Sequence, residues 1–219
     1  MSDHHGAVTF YRPHRRTYDL GRLDDDHIGQ DPLALFEGWF EEAVASEQGE
    51  AAAMVLSTVD ESGHPDGRVV LMRARHDSQI GFFTNYLSAK GHQLDAVPWA
   101  AATFYWPARQ RQVRVRGPVA KMSTARSDAY FATRPRGSQL SAWASDQSQP
   151  LSVRGELDDA MNVAATRFDG RAVERPPHWG GYWITIETIE FWQGRTDRMH
   201  DRLRFRQHRT GWSVKRLSP

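Results

Sequence analysis

Cationic and hydroxyl-bearing side chains recur along this 219-residue chain at spacings suited to anion binding. In Tyr130-Phe131-Ala132-Thr133-Arg134-Pro135-Arg136-Gly137-Ser138-Gln139, Tyr130 and Arg134 stand one helical turn apart and Ser138 follows a Pro/Gly bend. A phenol, a guanidinium and a hydroxyl can then converge on one phosphate. The plainer reading, Arg134 as a favourable charge at a helix C-terminus, leaves the neighbouring Ser141-Ala142-Trp143-Ala144-Ser145 unexplained. Upstream, Phe83-Thr84-Asn85 ends a strand and Ser88-Ala89-Lys90-Gly91 opens a helix, offering a hydroxyl, helix N-terminal amides and an ammonium to a second phosphate. An ordinary capped helix with a surface lysine has the same sequence pattern.

Three further groups are candidates. In Arg68-Val69-Val70-Leu71-Met72-Arg73 the odd spacing of the two cations puts them on opposite faces of a strand unless a bulge intervenes, so they should not share an anion. As an isolated pair they read as solvated strand-end cations. Gln112, Arg114 and Arg116 alternate with Val113 and Val115, which gives a strand with one apolar and one strongly polar face. Near the end, Glu190-Phe191-Trp192-Gln193-Gly194 precedes Arg198-Met199-His200-Asp201-Arg202; if extended, Arg198, His200 and Arg202 share one cationic face suited to an anionic, electron-rich ring.

These groups need elements to hold them. Residues 1 to about 30 are polar and read as a mobile arm outside the core, in which Arg15 and Tyr18 are candidates for a lid. Asp31-Pro32 signals a helix start, and Phe36, Trp39, Phe40 and Ala43 mark one face of a helix to about Ser46. From there the period changes to two. Strands are expected at 54–59, 68–74, 80–85, 100–106 and 112–122, with a short helix after Ser88 and a bulge or bend at Gly117-Pro118. Five antiparallel strands in one block suggest a barrel. A helix from Ser123 to about Thr133, a loop through Arg134-Pro135-Arg136-Gly137 and a helix over 157–168 form a helical insert before the Pro176-Pro177 break. Strands then resume at 183–188, 190–193, 202–207 and 212–217, the last two joined by a turn at Arg209-Thr210-Gly211. The fold class is mainly β with helices (α+β), and residues 31–219 form a single domain.

Composition removes several classes of function. The 28 Lys and Arg nearly balance 27 Asp and Glu, so no global field favours nucleic acid and any phosphate binding must be local. Zero cysteines exclude disulfides, thiolate metal sites and a cysteine nucleophile, and cytoplasm is the natural compartment. No stretch approaches the roughly 18 apolar residues of a membrane span. The 24 aromatic residues (8 Trp, 10 Phe, 6 Tyr) suit a β-rich core or a flat-ring ligand.

With these motifs in order, the chain resembles the pyridoxamine 5′-phosphate oxidases from about Asp31 to Pro219, through 68–73, 83–90, 111–112, 130–139, 143–148, 179–181, 190–194 and 198–202. The resemblance implies an antiparallel FMN-binding split β-barrel, working as a homodimer with flavin at the subunit interface. It also implies oxidation of pyridoxamine or pyridoxine 5′-phosphate to pyridoxal 5′-phosphate, with dioxygen reduced to hydrogen peroxide. By that resemblance Arg68, Val69, Val70, Leu71, Met72, Arg73, Phe83, Thr84, Lys90, Gln112, Gln147, Ser148, Trp192 and Arg202 contact FMN. Tyr130, Arg134 and Ser138 clamp the substrate phosphate, Arg73 also faces the substrate, and Arg198 and His200 orient its ring as the catalytic pair. Arg73 stands where many members have lysine, and Ala89 where many have arginine. The rival readings are a same-fold flavin oxidase of phenazine biosynthesis, which needs no phosphate clamp, and a flavin- or pyridoxal-phosphate-binding protein without turnover.

Overall fold

The computed structural model describes residues 17–46 and 49–219. Among the described residues, ten strands and five α-helices form a curled antiparallel sheet with a helical layer inserted before its last four strands. Helix α1 (Pro32–Ser46) starts where Asp31 Oδ1 accepts a hydrogen bond from the Leu33 amide at 3.1 Å, and proline supplies the preset first-turn φ. Its apolar stripe, Phe36, Trp39 and Ala43, is buried, with Trp39 edge-on to Phe191 at 5.2 Å and Phe36 against Phe104 at 5.4 Å.

Strands β1 (Ala53–Val59) and β2 (Pro65–Leu71) form a hairpin, followed by β3 (Ala74–His76) and β4 (Gln79–Asn85). The single strand expected over 68–74 is thus two. At Met72 and Arg73 the chain leaves one ladder for another: the Met72 amide donates to Ala52 O and the Arg73 amide to Gly81 O. Helix α2 (Ala89–Ala96) is capped by Ser88, whose Oγ accepts from the Gly91 amide. Strands β5 (Trp99–Trp106) and β6 (Arg111–Lys121) follow. The bend expected at Gly117-Pro118 is where β6 changes partners, pairing with β8 (Thr188–Gln193) before it and with β7 (Trp179–Thr185) after it. A Cβ on Gly117 would lie 1.8 Å from Thr185 O, so glycine is what allows this close crossing. Strands β9 (Asp201–His208) and β10 (Gly211–Arg216) complete the sheet order β10-β9-β8-β6-β5-β1-β2.

The insert comprises α3 (Thr124–Ala132), capped by Ser123, α4 (Arg136–Ala144) and α5 (Gly155–Arg167). The loop expected over 134–137 gives way at Arg136 to α4, because the Arg136 guanidinium bonds the Phe168 and Arg171 carbonyls and so ties its first turn to the end of α5. Strand β7 begins earlier than residue 183 and ends at Thr185: Gly180 and Gly181, which weaken a strand signal, leave room here for Tyr86 and Met122. Leu23 is fully buried in the main core, so this part of the proposed arm belongs to the core. Its amide donates to Asp201 Oδ2, and its carbonyl accepts from Arg216. Arg15 lies outside the described residues.

Alternation fixes two faces of the main sheet. Leu56, Ala102, Val115, Ile189, Phe191, Leu203 and Phe205 point into the core. The register then places Gln112, Trp192 and Arg202 in one cross-strand row on the outer face.

Candidate active site

Beside edge strand β2, bounded by the end of β4, the start of α2 and helices α3 and α4, lies a cavity of about 1060 Å³. Along β2 it is lined by Arg68, Val69, Val70, Leu71 and, past the strand end, Arg73. The opposite-face expectation for Arg68 and Arg73 fails because the strand stops between them, yet their partners differ: Arg73 faces Glu50 at 3.6 Å. Met72 does not line the cavity; its side chain is buried in the core.

At one end, Phe83, Thr84, Lys90, Gln147 and Ser148 gather as expected. Lys90 is buried, and its ammonium donates to Thr84 Oγ1 (3.2 Å), Ser88 Oγ (3.2 Å) and Gln147 Oε1 (3.0 Å). These are neutral oxygens. Burial, and then the neighbouring Arg68 charge, pull the Lys90 ammonium below its ordinary pKa. Ser148 sits in the left-handed region at φ 75°, with its Oγ accepting from the Ala89 amide at the start of α2. That conformation is costly for a non-glycine residue.

At the other end, Tyr130 lies in the last turn of α3, Arg134 just beyond that helix and Ser138 in the first turn of α4, all on the cavity wall. Tyr130 stacks on Phe83 at 3.8 Å and 11°, and Phe83 on Trp179 at 5.5 Å, which fixes the phenol from strands β4 and β7. The Arg134 guanidinium lies 4.5 Å from the Trp179 ring centroid, and its Nη1 is buried with no hydrogen-bond partner among the described residues. Burial lowers its pKa, with Tyr130 partly opposing. An unpartnered buried guanidinium nitrogen is a site that an anionic oxygen completes.

The remaining candidates stand elsewhere. Gln112, Trp192 and Arg202 form the outer-face row, whereas Arg68 pairs with inward Leu56, so the two sets lie on opposite faces of one sheet. Arg202 donates to Glu190 Oε1 at 2.8 and 3.1 Å and to Ser218 O. The common face expected for Arg198, His200 and Arg202 does not form: Asp197 and Arg198 have φ of 52° and 61°, so the chain is not extended before β9. Arg198 is exposed; His200 packs 4.7 Å from the Trp192 ring, and its Nδ1 accepts from the Arg195 amide. Burial, and then Arg198, lower the His200 pKa. Tyr18 packs edge-on to both Trp192 and His200.

Residues 40–193 match the family model for pyridoxamine 5′-phosphate oxidase, and residues 179–219 that for the pyridoxine 5′-phosphate oxidase C-terminal dimerisation region. The chain belongs to the pyridoxamine 5′-phosphate oxidase family. As a member it is an oxidoreductase, and the match to the dimerisation region supports a homodimer. Pyridoxine/pyridoxamine 5′-phosphate oxidases of Synechocystis and Pseudomonas syringae are 47% and 50% identical over 94% of this chain and 96% of theirs. Among solved structures, PhzG from Burkholderia lata, in complex with tetrahydrophenazine-1-carboxylic acid, aligns with a TM-score of 0.84 at 26% identity, covering 93% of this chain and all of that one. A family-related FMN-binding protein from Nostoc punctiforme (TM-score 0.67, 20% identity, 84% and 97% coverage) shares the split-barrel fold. Among the described residues no helix is long and apolar enough to cross a membrane, and no acidic or histidine cluster could hold a metal.

Sequence reasoning missed Asp66 and gave no role to Trp179, both on the cavity wall. It also missed Thr58 and Gln93, which meet Arg68 across elements. Trp179 was within reach, as the aromatic of Trp179-Gly180-Gly181; the other three carry no local signal.

Proposed function

We propose that this protein is a cytoplasmic homodimeric enzyme that uses FMN to oxidise pyridoxamine 5′-phosphate, pyridoxine 5′-phosphate or both to pyridoxal 5′-phosphate, with dioxygen as acceptor and hydrogen peroxide as by-product. The observation that carries this reading is a single cavity with two cations at separate anchors, the buried Lys90 and the half-buried Arg134. Among the described residues neither has a carboxylate partner. Two phosphate-bearing molecules, one cofactor and one substrate, use both.

The residues present fit a flavin mononucleotide. Lys90, Arg68, Thr84, Gln147 and Ser148 would hold its phosphate end, and the Arg134 end remains for a second phosphate. Bound there, the flavin supplies the two-electron acceptor for the substrate carbon. Tyr130, Arg134 and Ser138 bind the substrate phosphate and so orient the ring, which is the chain's main contribution to rate. The Trp192 row, with His200 and Arg198, cannot reach this cavity across its own sheet. The same row of a second copy covers the opening, excludes water and faces the substrate ring. Held neutral by its surroundings, His200 keeps Nδ1 as an acceptor for the Arg195 amide.

The phenazine-type reading is weaker, since identity to that structure is 26% against 47% and 50% to the pyridoxine/pyridoxamine 5′-phosphate oxidases. The deciding experiment is anaerobic: pyridoxamine 5′-phosphate is added to the purified yellow protein and the flavin absorbance is followed. Bleaching reversed by air is expected. A flavin that stays oxidised, or a protein that takes up no FMN, overturns the proposal.

A further inference from the structure

Arg68 is the cavity cation held by the most protein acceptors. Its Nη1 donates to Leu56 O (3.2 Å) and Thr58 Oγ1 (2.6 Å), and its Nη2 to Gln93 Oε1 (3.1 Å) and to the Asp66 carboxylate. Thr58 donates in turn to Gln93 Oε1, and Gln93 Nε2 donates to Asp66 Oδ2 at 3.0 Å. Four of the five guanidinium N–H groups are thereby engaged, and among the described residues Nε–H has no hydrogen-bond acceptor. Thr58 is 1% exposed and, like Gln93, does not line the cavity.

We infer that Thr58, Gln93 and Asp66 are positioning residues that clamp Arg68 in one orientation toward the phosphate end of the cavity, and so set the preference for a phosphorylated flavin over one without phosphate. The inference rests on the FMN reading above. Its physical basis is preorganisation. A free arginine at an edge strand loses rotamer entropy on meeting a phosphate, whereas this one is already immobilised. Asp66 also offsets part of the cost of keeping Arg68 near the Lys90 ammonium, because its charge opposes the repulsion that Arg68 exerts there. The Gln93 amide, and then Arg68, hold the Asp66 carboxyl below its ordinary pKa, so Asp66 is ionised throughout the neutral range.

The test uses flavin fluorescence quenching to measure FMN and riboflavin affinities of the full-length protein. Thr58→Val keeps the side-chain shape and removes the hydroxyl. FMN affinity is expected to fall about tenfold, the loss of one charge-assisted hydrogen bond and its ordering, with riboflavin affinity unchanged and Thr58→Ser restoring FMN affinity. In an Arg68→Met background the same Thr58→Val change should cost nothing further. Equal losses for both flavins, or an undiminished effect without Arg68, would overturn the inference, since a displaced α2 would act through Lys90 in either background. Should Thr58→Val not fold, Gln93→Met is put through the same cycle with the same criteria. Wild-type protein that binds neither flavin overturns the site reading itself; wild-type protein that prefers FMN, with variants that keep that preference, overturns the clamp alone.

Discussion

Replacing Arg134 by methionine should separate the stability of the fold from its capacity to bind substrate. In the ligand-free protein the buried Nη1 lacks a partner, a defect of about 1–3 kcal/mol. Contact with the Trp179 face returns about 0.5–2 kcal/mol of that. Methionine keeps the apolar stem and removes both terms, so unfolding free energy in urea should lie between about 1 kcal/mol lower and about 2.5 kcal/mol higher. Binding should move the other way. Loss of one charge-assisted hydrogen bond to phosphate costs about 1.5–3 kcal/mol, which is roughly a 10- to 150-fold rise in KM for pyridoxamine 5′-phosphate. Steady-state peroxide formation measures it, with unphosphorylated pyridoxamine as the control substrate. The control should be poor for the wild type and no worse for the variant. An unchanged KM for the phosphorylated substrate, or an equal loss for both substrates, would refute the assignment of Arg134 to phosphate.

Other consequences are as direct. Lys90 has a depressed folded pKa, so FMN affinity should begin to fall at a lower pH than an ordinary lysine of about 10.4 would allow; in that window the unfolded chain binds more protons, and ligand-free stability should rise with pH. His200 is also depressed, so its stabilisation is present above the unfolded value of about 6.5 and is lost as pH falls through the folded one. Its imidazole resonances should therefore titrate below 6.5, and a midpoint at or above that value contradicts the burial of the ring and the influence of the Arg198 charge. Leu23→Ala should cost about 2–5 kcal/mol in urea unfolding, because the side chain is fully enclosed; a cost under about 0.5 kcal/mol would detach this segment from the core. Gly117→Ala should leave little soluble folded protein, since its new methyl meets backbone rather than a side chain that can move.

What could be read from the sequence was what repeats locally. Helix α1 declares itself by Asp31-Pro32 and its apolar stripe, β5 by its apolar-aromatic run and β6 by alternation, so their bounds agree to within a residue or so. Helix α4 was not legible: Arg-Pro-Arg-Gly reads as a turn, and what ties its first turn down is a pair of carbonyls 32 and 35 residues away. The phosphate-end residues follow from strand-end and helix-start chemistry, and the structure brings them together. Period-two reasoning failed at Arg73 and again at Arg198, in both cases because the chain leaves the strand there. Nor could a single strand reveal that Trp192 and Arg68 occupy opposite faces, since that depends on the registers of successive pairings across the sheet.

If the outer row of a second copy covers each cavity, as proposed, activity belongs to pairs of chains, and damage to it should show interallelic complementation. A subunit carrying Arg134→Met has a spoiled cavity and an intact outer row; one carrying Trp192→Ala has the reverse. Either homodimer has two defective sites. In a randomly assorted mixture, half of the dimers are mixed, and each holds one doubly damaged site and one wholly native site, so about a quarter of all sites should work again. Two impaired proteins, unfolded and refolded together, should make a mixture more active at low substrate than either alone.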